Sequence, residues 1–78
     1  MAAKILIVED DHDSLEILKI QLEFMGYEVI EAVNGEDGIK KAQAHLPRIV
    51  IMDLGLPDIN GIKATQKLKQ SPRTAHIP

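Results

Sequence analysis

The sequence predicts an α/β domain built on a parallel sheet. Two apolar runs, Lys4–Val8 and Ile49–Met52, are short enough for strands buried on both faces. Both run straight into carboxylates, Glu9 and Asp10 after the first and Asp53 after the second. Between and beyond them, segments with helical apolar spacing alternate with strand-like ones. Such alternation implies βαβ units, with right-handed crossovers. The simplest arrangement of a β-α-β-α-β-α chain is strand order 2-1-3. The first helix then lies on one face, and the second and third lie on the other.

Each element has its own justification. Residues 4–8, Lys-Ile-Leu-Ile-Val, form the first strand. Asp11 to Asp13 make a turn rich in helix-capping residue types. From about Ser14 to Met25, Leu15, Leu18, Leu22 and Met25 recur at three- and four-residue steps. Ile17, Ile20 and Phe24 form a second stripe beside them, which needs cover from the core or from a partner. Gly26 stops this helix as a left-handed cap. Tyr27 to Ala32 reads as the second strand. Asn34 caps a helix over Glu36–Leu46, with Asp37 three residues on and Ile39, Ala42 and Leu46 at helical spacing. Pro47 ends it, and Arg48 to Asp53 is the third strand. After a loop through Asp58-Ile59-Asn60-Gly61, the third helix places Ile62, Thr65 and Leu68 or Lys69 on successive turns. Ser71-Pro72 breaks it, and His76-Ile77-Pro78 reads as the approach to another strand.

Composition narrows the function classes. With 78 residues, 45% hydrophobic and 27% charged, the chain is an ordinary globular domain with a marginal core. No apolar run approaches the ~20 residues that span a bilayer. No signal-peptide pattern precedes the first strand, and a cytoplasmic setting fits. The absence of Cys rules out disulfides and thiolate metal sites. A net charge of −3 argues against general nucleic-acid affinity. The acidity is local: Glu9, Asp10, Asp11, Asp13 and Glu16 crowd one region.

Strands one and three, adjacent and parallel, end at the same sheet edge. That edge is where ligands bind in open α/β sheets. The placement brings Glu9, Asp10 and Asp53 into one pocket. Three carboxylates there repel one another unless a cation offsets the charge. Oxygen-only donors suit Mg2+ or a similar hard ion, which keeps several waters and accepts a phosphate oxygen. The plainer readings are that Asp53 caps a turn and that the acidic rim serves solubility. Two strand ends converging on carboxylates argue against both. His12 begins a helix, where it is solvated, and Asp11 caps that helix or supports the neighbouring pair.

The run Lys-Ile-Leu-Ile-Val-Glu-Asp-Asp, followed by Asp53-Leu54-Gly55-Leu56-Pro57-Asp58-Ile59-Asn60-Gly61, resembles the receiver domain of bacterial two-component response regulators. The resemblance runs from residue 4 to the end and covers the N-terminal part of that domain. It implies a flavodoxin-like, doubly wound sheet cut short after the third strand and third helix, so that 1–78 is a receiver domain incomplete at its C-terminus. It also implies that Asp53 accepts a phosphoryl group from a sensor histidine kinase or a phosphotransfer protein. Mg2+ would be held by Glu9, Asp10, Asp53 and the backbone carbonyl of Gly55. The expected protein is a signalling domain, not an enzyme.

Two groups that the resemblance leads one to expect are missing. These are a Ser or Thr after a fourth strand and a Lys after a fifth. Lys63, Lys67 and Lys69 lie on a helix directed away from the pocket and are poor substitutes. Phosphotransfer would then be impaired. The third strand would be an open edge, inviting self-association there or through the face of the first helix. Two other functions compete. One is a structural or dimerising half-domain without phosphotransfer. The other is a Mg2+-dependent phosphatase of the haloacid-dehalogenase type, which wants a second Asp where this chain has Gly55.

Overall fold

The computed structural model describes residues 3–52 and 61–77. Six elements alternate: β1 (Lys4–Val8), α1 (His12–Phe24), β2 (Glu28–Ala32), α2 (Gly35–His45), β3 (Ile49–Met52) and α3 (Gly61–Gln70). The strands form one parallel sheet in the order β2-β1-β3, as the sequence predicts.

β1 is central, and its side chains serve both layers because successive residues point to opposite faces. Ile5 and Ile7 pack with Leu15 of α1, joined by Leu18, Leu22, Tyr27 and Val29. Leu6 and Val8 pack with Ala32, Ala42 of α2 and Leu68 of α3, joined by Ile30, Ile39, Val50 and Met52. The expected division of helices between the two faces is therefore present. Burying each large apolar side chain stabilises the fold by roughly 1.5–3 kcal/mol, so β1 anchors both layers.

α2 approaches the sheet closely because it presents small residues: Gly35, Gly38 and Ala42 are buried. A Cβ added at Gly38 would lie 2.7 Å from Cγ2 and 3.0 Å from Cγ1 of Val8. The boundaries follow the capping chemistry. Asn34 has extended backbone, and its Oδ1 accepts the Asp37 N–H at 2.8 Å. Gly26 takes φ 95°, the left-handed stop after α1. α2 ends one residue before the predicted Leu46, which itself takes a left-handed conformation at φ 49°. Its N–H still reaches the Ala42 carbonyl at 2.9 Å.

Several expectations are corrected. α1 begins at His12 and not Ser14, since the N-cap is Asp11. β3 starts at Ile49, although the Arg48 N–H bonds to the Lys4 carbonyl at 2.8 Å. In α3 the inward residues are Ala64 and Leu68, while Ile62 is 58% exposed and Thr65 is exposed. The small Ala64 lets the helix sit close to the layer beneath, which turns Ile62 outward. The second stripe of α1 is not core: Ile17, Ile20 and Phe24 are exposed, Phe24 at 92%. Residues 71–76 form a strap of turns, in keeping with the expected break and loop; of the expected approach to a further strand, Ile77 is in neither helix nor strand and Pro78 lies outside the described residues. Thr74, within that strap, is buried and its hydroxyl donates to the Leu68 carbonyl at 2.5 Å. Lys69 Nζ donates to the carbonyls of Ala75 at 3.1 Å and Ile77 at 2.7 Å.

Candidate functional site

The carboxyl edge of the sheet is where Glu9, Asp10, Asp11, Asp13, Glu36 and Asp37 meet two helix starts. The parallel ladder aligns Val8 with both Ala32 and Met52. The three strands therefore finish level. The next residue after Val8, Glu9, is held by its own backbone N–H donating to the Ala32 carbonyl at 3.0 Å. Glu9 is half-buried and Asp10 is exposed.

The neighbours of this pair have their own tasks. Glu9 Oε1 accepts the Asp11 N–H at 3.1 Å. Asp11 Oδ2 accepts the Ser14 N–H at 3.1 Å and the Ser14 hydroxyl at 2.6 Å. These two bonds from Ser14, with a smaller contribution from His12, hold the Asp11 carboxyl below its usual 3.8. Asp11 is thus committed to capping α1, one of the two roles the sequence allows it. His12 sits in the first turn, exposed, in keeping with a solvated residue. Asp13 of α1, and Glu36 and Asp37 of α2, add carboxylates to helix first turns, where the helix dipole favours them.

Of the predicted site residues, the structure brings Glu9 and Asp10 together directly after β1. Asp53 and Gly55 lie outside the described residues, as does the rest of the Leu54–Asn60 loop. Among the described residues no three His, Cys, Asp or Glu side chains gather as a metal site. The pair does offer oxygen donors alone, which is the chemistry a hard divalent ion prefers. Lys69, read from the sequence as directed away from the pocket, is folded onto the strap that follows its own helix. Sequence reasoning missed the Glu9–Asp11 bond, which carries no periodic signal. The Ser14 partner was readable in the Asp-x-x-Ser spacing of an N-cap.

The fold agrees with known proteins. The response regulator receiver domain family matches residues 5–78. The chain belongs to that family. Protein PilH of Pseudomonas aeruginosa is 40% identical over 76 residues, covering 97% of this chain and 63% of that protein. A response regulator from Chloroflexus aurantiacus superposes with a TM-score of 0.96 at 35% identity, covering 100% of this chain and 64% of that one. The response regulator TrrA of Thermotoga maritima, solved in complex with Mg2+-BeF, superposes at 0.86 with 33% identity, covering 94% and 63%. The chain spans less than two thirds of the length of each of these. Receiver domains are signalling modules of two-component systems, and the flavodoxin-like fold is common to this chain and its structural neighbours.

Proposed function

We propose that this receiver domain is a phosphoacceptor, with Asp53 as the residue modified. The observation that carries the reading is the register of β1 against β3. Val8 and Met52 are partners, so the chain positions leading to Glu9-Asp10 and to Asp53 are level at the ligand-binding edge of the sheet. A carboxylate can act as nucleophile toward phosphorus. An Asp53 oxygen forms a bond to phosphorus, and the phosphorus–nitrogen bond of a donor phosphohistidine breaks. The imidazole leaves with the electron pair, giving an acyl phosphate. The donor is a sensor histidine kinase or a phosphotransfer protein, and a cytoplasmic location goes with such a partner.

Glu9, Asp10, Asp53 and the Gly55 carbonyl would hold Mg2+. When bound, the ion neutralises charge on the phosphoryl oxygens and orients the transfer. The chain's own contribution is to fix the acidic pair. The Ala32 carbonyl holds the Glu9 backbone, and the Asp11 N–H orients the Glu9 carboxylate. The role is that of a signalling domain without turnover. The exposed Ile49 and Ile51 on β3 and the exposed α1 stripe support self-association as an accompanying property.

Calorimetric Mg2+ titration and intact-mass detection of phosphorylation by a small-molecule phosphodonor test this reading. Asp10→Asn abolishes the Mg2+ response, and Asp53→Asn abolishes the adduct. A Mg2+ isotherm unchanged in Asp10→Asn, or labelling that persists without Asp53, overturns it.

A further inference from the structure

The sheet has two outer edges, and they are not chemically alike. On β2 the backbone of Glu28 turns toward β1, its N–H bonding to the Ala3 carbonyl at 2.9 Å. Ala32 also faces β1, through its carbonyl to Glu9. Alternation along a strand then turns the backbone groups of Val29 and Glu31 outward, where an added strand would bond. The Glu31 carbonyl is already taken. Lys41 reaches over from α2 and its Nζ donates to that oxygen at 2.5 Å. Asp37, one turn earlier on the same helix, holds the same ammonium at 3.1 Å. From the opposite layer, Lys19 of α1 pairs with the Glu31 carboxylate at 3.3 Å. Cations from both helical layers therefore straddle one residue of the edge strand.

β3 is the contrast. The Arg48 N–H faces β1, so Ile49 and Ile51 turn their backbone groups outward. That strand, Ile-Val-Ile-Met, carries no charge. Ile49 and Ile51 are 38% and 36% exposed.

We propose that Lys41, supported by Lys19, closes the β2 edge against strand addition. A strand arriving at β2 has to displace the Lys41 ammonium from the acceptor it needs and desolvate two lysines and a glutamate. Edge strands are commonly guarded by charge, lysine above all. Here the guard is supplied by the neighbouring helices and bonds to the backbone itself.

The test uses the 78-residue chain. Lys41→Met keeps most of the aliphatic stem and removes the donor. Sedimentation over a concentration series should show self-association strengthened about tenfold, the scale of one lost charge-assisted hydrogen bond. Amide exchange should show new protection at Val29 and Glu31. Lys41→Arg retains a donor and should behave as the parent. Lys41→Ala repeats the measurement if circular dichroism shows the Met variant unfolded. Parent-like sedimentation of the donor-less chain overturns the proposal, as does association that protects Ile49 and Ile51 while leaving Val29 and Glu31 unprotected.

Discussion

Replacing Gly38 with alanine sets two well-calibrated effects against each other. In a helix interior, Gly to Ala is favourable by about 0.5–1 kcal/mol, because the alanine chain has less freedom to lose. Here the new methyl carbon would lie 2.7 Å and 3.0 Å from the two γ carbons of Val8. Val8 is fully buried and lies between Ala32, Ala42 and Leu68 of the same cluster, so it has little room to move. Overpacking of this kind costs about 1–3 kcal/mol. The steric effect wins, and Gly38→Ala should be destabilising by about 1–2 kcal/mol. With a urea m-value of about 1 kcal/mol/M for a chain this small, the midpoint falls by about 1–2 M. Val8→Ala removes the opposing methyls and is itself destabilising through the cavity it leaves. The two substitutions together should therefore cost about 1 kcal/mol or more less than the sum of the single changes. Urea unfolding followed by circular dichroism measures all four chains. A Gly38→Ala midpoint at or above the parent's, or strict additivity with Val8→Ala, refutes the claim that helix–sheet contact sets the identity of residue 38.

Four further outcomes are expected. Leu46→Gly should raise stability by about 1 kcal/mol in the same assay, since a left-handed leucine is strained and this one is nearly half exposed. Asn34→Ala should lower it by about 1 kcal/mol through loss of the bond to the Asp37 N–H, while Asn34→Asp retains it. The Asp11 cap stabilises the fold fully above pH 3.8, because its carboxyl is held below that value in the folded chain. Its contribution fades as pH falls through the lowered value, so Asp11→Asn should flatten the acid limb of the pH–stability curve. Lys19 is held above its usual 10.5 chiefly by its hydrogen bond to Glu31, so its contribution is complete below 10.5 and is lost as pH rises through the raised value. Lys19→Met should remove that alkaline loss.

What was legible in the sequence was what chain chemistry fixes locally or what large residues announce. The apolar run Lys4–Val8 could only be a buried strand. Asn34 and Gly26 are residues whose backbone and side-chain preferences dictate their positions. The strand order followed from connectivity and handedness. Of the candidate site, the position of Glu9 and Asp10 was legible, because two-faced burial of β1 forces the chain to surface there. What escaped was set by packing between elements. The inward face of α3 belongs to Ala64 and Leu68 and not to Ile62, a choice that side-chain size alone does not announce. The left-handed turn at Leu46 was hidden because leucine rarely adopts it. The second stripe of α1 was equally ambiguous, since an apolar arc does not say what covers it.

The direction of the helices has a consequence for how this molecule meets another. α1 and α2 begin at the acidic edge, beside Glu9, Asp10, Asp11, Asp13, Glu36 and Asp37. Lys4, His45, Arg48 and His76 line a groove of about 510 Å³ at the opposite end. Among the described residues carboxylates are therefore concentrated at one end of the strand axis, whereas the other end mixes Lys4 and Arg48 with Glu23 and Glu28, a distribution that the net charge of −3 does not reveal. In the field of a cationic partner the molecule rotates before contact, so that the acidic end leads. Orientation is then partly settled during diffusion, and the advantage shrinks as salt shortens the range over which charges are felt.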